Sequence, residues 1–109
     1  MTIHVEAILT PKPGRVQDLL ANFERVCPLV HQEPGCELYA VHTDGDIVIV
    51  VERWTSRESL DGHIDGEPLA LLNTLNEGVL VRPYDVWFLD AVEFGDPAKG
   101  RIPTLPSAS

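Results

Sequence analysis

The stretch Asp46-Ile47-Val48-Ile49-Val50-Val51-Glu52-Arg53-Trp54 holds five consecutive β-branched aliphatic residues with no polar alternation. A strand with one wet face alternates apolar and polar side chains, so this run predicts a strand covered on both faces. A chain of 109 residues accommodates one domain with one core, which makes a double cover hard to supply from within. The run also ends abruptly, in a glutamate, an arginine and a tryptophan.

The rest of the chain supplies candidate covers. From Ile3 to Thr10, Ile3, Val5, Ala7 and Leu9 recur at every second position and predict a first strand, ended by Pro11 and Pro13. From Arg15 onward Val16, Leu19, Leu20, Phe23, Val26, Cys27 and Val30 recur at three- and four-residue steps, the pattern of a helix of about four turns with one apolar face. Pro28 deletes one intrahelical bond and is expected to bend its last turn, and Gly35 reverses the chain. A second strand over Cys36 to Thr43 then meets the central run through Asp44-Gly45, a strong hairpin signal. After Trp54, Thr55 with Glu58 makes a capping box, or Ser56 caps one residue later, and Leu60, His63 and Ile64 share one face of a short helix. Asp65-Gly66 breaks it, Pro68 opens a further helix carrying Leu69, Leu72 and Leu75 inward, and Gly78 ends it. The last strand is expected over Tyr84 to Val92.

This order is the split βαβ, or ferredoxin-like, arrangement: an α+β fold with a four-stranded antiparallel sheet and its helices on one face. Residues 1–94 form the domain. Residues 95–109 hold three of the nine prolines and no periodic pattern, as an arm or a disordered tail does. The helices cover one face of the central run. No element is left for the other, and the economical cover is a second copy: a homodimer, or a higher oligomer built on it, with two sheets face to face as a dimeric α+β barrel.

A net charge of −9, with 17 acidic against 8 basic residues and no cluster of Lys or Arg, excludes nucleic acid as an expected partner. The N-terminal residues lack a basic region followed by an apolar core, and no apolar run reaches membrane-spanning length, so a cytoplasmic protein without a membrane partner is expected. Cys27 and Cys36 form no CxxC pair and are expected reduced and structural. Four histidines and two cysteines show no ligand spacing, so no metal site is expected.

Glu33-Pro34-Gly35-Cys36 after an amphipathic helix, Glu52-Arg53-Trp54 closing the third strand, and Leu60 with His63 in the next helix together resemble the antibiotic biosynthesis monooxygenase family from about Ile3 to Val92. The resemblance implies a dimeric α+β barrel and oxidation of a small phenolic, quinol or polycyclic aromatic molecule by molecular oxygen, with no metal or organic cofactor. Polyketide-oxidising relatives line their pocket with the tryptophan that Trp54 matches, whereas their asparagine, tyrosine and arginine fall on Val50, Leu60 and Thr74. Haem-degrading relatives place an asparagine, a tryptophan and an axial histidine where this chain has Ala7, His63 and Asn73, and the missing imidazole argues against haem degradation. The quinol-oxidising branch is the one it most resembles.

His63 is the candidate base, because its spacing with Leu60 and Ile64 turns it under the helix toward the sheet. Trp54, Leu60, Ala7, Val50 and Asn73 are the candidate substrate-binding residues by the same resemblance. Other readings stay open: a histidine merely buried and hydrogen-bonded, a non-catalytic binder of small aromatic molecules, or an isomerase of a small hydroxyketone. His4 and Glu6 fall on the face opposite Ala7, toward the expected dimer side, and Glu52 is read as architecture, pairing with a neighbouring chain's Arg53 or a helix end. His31 and His42 receive no role.

Overall fold

A computed structural model describes residues 2–102. Along the chain run β1 (Ile3–Leu9), α1 (Val16–His31), β2 (Cys36–Thr43), β3 (Val48–Trp54), α2 (Arg57–Ile64), α3 (Glu67–Leu75) and β4 (Asp85–Leu89). The four strands form one antiparallel sheet in the order β2-β3-β1-β4. This is the ferredoxin-like arrangement expected from the element order.

The central run resolves into a turn residue and an alternating strand. Ile47 belongs to the hairpin loop, where only Gly45 takes a positive φ, of 98°, and the Asp44 carboxylate accepts from the amides of Asp46 and Ile47 at 2.8 and 2.9 Å. From Val48 onward, Val48, Val50, Glu52 and Trp54 are buried beneath the helices while Ile49 and Val51 on the other face are only partly covered. The register with β1 matches this parity: Leu9 opposite Val48 and Ala7 opposite Val50 on one face, Ile8 opposite Ile49 and Glu6 opposite Val51 on the other. Leu19, Phe23, Val26 and Val30 of α1 complete the core, all at most 2% exposed.

Several boundaries differ from the sequence expectation for physical reasons. β4 ends at Leu89 rather than Val92, because Leu89 pairs with His4 and the ladder of β1 is then almost exhausted. Pro28 lies inside α1, which continues through it to His31. Ser56, not Thr55, caps α2, its hydroxyl accepting from the Ser59 amide. Of the expected arm, residues 103–109 lie outside the described residues. Its nearer part reaches one end of the outer face of the sheet, where the Ile102 carbonyl accepts from Arg53, and Arg101 pairs with Glu93 just beyond β4.

Candidate active site

Between the sheet and the helices lies a cavity of about 210 Å³. Its floor comes from Val5, Ala7 and Leu9 of β1 and Val50 of β3, and its roof from Leu60 and His63 of α2 with Leu69 and Leu72 of α3. The lining is overwhelmingly apolar, and its polar side chains are Glu52, His63, Tyr39 and Tyr84. Phe88 and Ile64, half-exposed, stand at its open side, with the Arg57 guanidinium 5.2 Å over the Phe88 ring.

His63 is 5% exposed. The three-residue step from Leu60 puts both on the inner face of α2, as the spacing predicted. Its imidazole stacks on Trp54, with centroids 4.6 Å apart and planes at 26°, and meets the Tyr39 ring edge-on at 5.6 Å. Its Nδ1 lies 2.7 Å from Glu33 Oε1, and its Nε2 lies 3.9 Å from Glu52 Oε1. Glu52 Oε1 in turn accepts from the Trp54 indole N–H at 3.0 Å. A buried imidazole thus stands between two carboxyl groups brought from a loop and a strand.

Burial sets the electrostatics. It pushes the Glu52 carboxyl above its ordinary range, against the opposing pull of the Trp54 N–H and of His63. The Tyr39 phenol is driven far up by burial and by the nearby Glu52 carboxylate, which keeps its hydroxyl neutral. Cys36, close by at the start of β2, is pushed up to about 11 by burial and by Glu33 and Glu52, so it is a poor nucleophile at neutral pH. Among the described residues no group of three or more His, Cys, Asp and Glu could hold a metal ion.

The structure brings His63, Leu60, Ala7 and Val50 together around the cavity. Two expected wall residues stand elsewhere. Trp54, fully buried, pairs across the sheet with Ile3 and Cys36 at the sheet end, and lies behind His63 and Glu52 rather than in the lining. Asn73 follows Leu72, the inward residue of α3, and one helical step turns it to the exposed side. Glu52 corrects the expectation in the other direction: it points inward and lines the cavity, while Arg53 on the opposite face lies 3.3 Å from Glu37 of the same chain. Parity with Val50 held that signal, since residues two apart on a strand share a face. Glu33 carries no such signal, because it meets His63 across 30 residues of sequence. His4 and Glu6 lie outside the cavity lining, on the face opposite Ala7.

Comparison with known proteins agrees with this architecture. No curated protein sequence matches the chain. Among solved structures, the Rv0793 protein of Mycobacterium tuberculosis superposes with a TM-score of 0.78 at 24% identity, over 88% of this chain and 100% of that one. An antibiotic biosynthesis monooxygenase superposes with a TM-score of 0.76 at 26% identity, over 83% and 98%. NE2512 of Nitrosomonas europaea, a protein of unknown function, superposes with a TM-score of 0.80 at 17% identity, over 98% and 96%. The profile of the antibiotic biosynthesis monooxygenase family matches residues 2–69, well over half of the sequence, and the chain belongs to that family.

Proposed function

We propose that the protein is a cofactor-independent monooxygenase acting on a small phenol or quinol. Family membership supports a small-molecule monooxygenase-like function, and the observation that carries the finer reading is His63, buried and facing an apolar cavity with its second nitrogen already engaged. Transfer of a hydroxyl proton to Nε2 leaves an electron-rich phenolate, which reduces oxygen directly. One oxygen atom enters the ring and the other leaves as water, so a quinol becomes a hydroxyquinone and the substrate supplies all the electrons. The apolar walls exclude water from the reactive intermediates.

The cavity favours a small ligand. An apolar cavity of ~150 Å³ holds a benzene ring, so this one suits one substituted ring or two fused rings rather than a larger polycycle. The half-exposed Trp87 and Leu89 beside Ile8, Ile49 and Val51 support the second part of the proposal, a homodimer in which a second copy covers this face. Free thiols at Cys27 and Cys36 are compatible with a cytoplasmic location.

The carboxyl and imidazole placed 3.9 Å apart also favour a second reading, proton shuttling in an isomerase of a small hydroxyketone. Oxygen uptake separates the two. Purified metal-free protein should consume oxygen above the protein-free rate with a panel of quinols and naphthoquinols. Turnover of hydroxyketones without oxygen uptake would establish the isomerase, and a rise in melting temperature without turnover would leave a binding protein.

A further inference from the structure

We propose that Glu33 is a positioning residue for His63, holding the imidazole in the tautomer that carries hydrogen on Nδ1 and steadying the imidazolium formed when Nε2 takes a proton from the cavity. The kinetic half rests on the oxygenase reading, and the tautomer half on geometry alone. An ionised carboxylate only accepts hydrogen bonds, so at 2.7 Å from Glu33 Oε1 it is Nδ1 that donates. Nε2 is thereby left as the acceptor on the side of Glu52.

The loop around Glu33 is built to hold it there. Its amide donates to the Val30 carbonyl at the end of α1 and its carbonyl accepts from the Cys36 amide. Gly35 takes a φ of +79° and presses against Ser59 and Thr55 at the start of α2, where a side chain would collide. Its carbonyl accepts from the Thr55 amide at 2.9 Å. At the other end of α2, a Cβ on Gly66 would stand 2.8 Å from Glu33 Oε2. The two glycines therefore let the loop close on both ends of the helix that carries His63. The other titratable groups facing the imidazole are Glu52 from β3 and Tyr39 from β2, and neither reaches Nδ1.

Nitrogen-15 NMR of the free protein reads the tautomer without any substrate. The wild type should show His63 with hydrogen on Nδ1, and Glu33→Ala should shift population toward the Nε2–H form. Glu33→Gln preserves an acceptor oxygen but no charge, so it should fold and retain the tautomer. With a quinol that the wild type oxidises, Glu33→Ala should lower kcat roughly tenfold or more with little change in KM, and Glu33→Asp should recover part of it. An Nε2–H tautomer in the wild type, or unchanged tautomer and kcat in Glu33→Ala, overturns the proposal. Absence of oxygen uptake by the wild type with every quinol would instead sink the oxygenase reading, and the NMR result would still decide the role of Glu33.

Discussion

The two faces of the sheet are made by alternate residues of the same strands, yet they are finished differently. Under the helices, Val5, Ala7, Leu9, Val48 and Val50 make an apolar floor, and the carboxyl that enters it, Glu52, is bonded to Trp54. On the opposite face His4, Glu6 and Arg53 alternate with Ile8, Ile49, Val51, Trp87 and Leu89. The first face has its cover and its hydrogen bonds from within the chain. The second sets half-exposed Trp87 and Leu89 beside polar side chains, with Arg53 covered by the chain's own Ile102, and it is on this mixed character that the proposed dimer rests. Chemistry that needs a dry, fixed environment belongs to the first.

The most severe way to break this contrast is to place a charge on each face. Val50→Asp puts an unpaired carboxylate in the core, a cost of several kcal/mol that rivals a domain's whole stability, and should leave the chain unfolded by circular dichroism. Ile49→Asp, one residue away on the other face, should still fold but elute and scatter light as a 12.0 kDa monomer. A wild type that is itself monomeric at micromolar concentration would remove the dimer proposal. Next in size, His63→Ala should lower oxygen-consuming turnover by roughly a hundredfold while thermal melting shows a loss of only ~1–2 kcal/mol.

Trp54→Phe sharpens the inner face itself. It keeps an aromatic ring but a smaller one in a fully buried site, and deletes the N–H that Glu52 accepts, so roughly 2–4 kcal/mol of stability should go, with KM little changed because Trp54 does not line the cavity. Glu52→Gln reads the same bond through pH. Burial raises the folded carboxyl above its unfolded value, so the folded chain holds a proton that the unfolded chain has released, and stability falls as pH rises through that interval. The melting temperature of Glu52→Gln should match the wild type below about pH 4 and gain on it toward neutrality. The smallest effect belongs to the outer face: deletion of residues 95–109 should lower the melting temperature by only a few degrees, the equivalent of under ~1 kcal/mol.

Local regularities made most of this fold legible. The three- and four-residue steps of α1, the two-residue step of β1 and the Asp44-Gly45 reversal each depend on neighbours within one turn or one pleat, so the element order and the sheet followed. The inward turn of His63 was legible for the same reason, its three-residue step from Leu60 fixing both to one face of α2, whereas Ala7, Val50 and Leu60 were named as wall residues by matching positions with relatives and do line the cavity. Glu33 was not, because its role depends on a loop crossing to a helix 30 residues on, a relation no periodicity encodes. Trp54 and Asn73 were misplaced by matching positions with relatives: correspondence along a chain fixes an address in the fold, while the cavity's extent depends on which neighbouring side chains fill the space.

The strand order has a consequence for how the chain is made. β1 leaves the ribosome before the other three strands yet sits inside the sheet, and its partners in β3 lie from 39 residues away, Leu9 with Val48, to 51, Ile3 with Trp54. At ~5–20 residues per second the first strand waits several seconds with both edges open, while α1 and the β2-β3 hairpin form from contacts close in sequence. Closure of such distant pairs sets a slow step, and the nascent chain is most prone to stick to others in the interval between the emergence of Leu9 and that of Trp54.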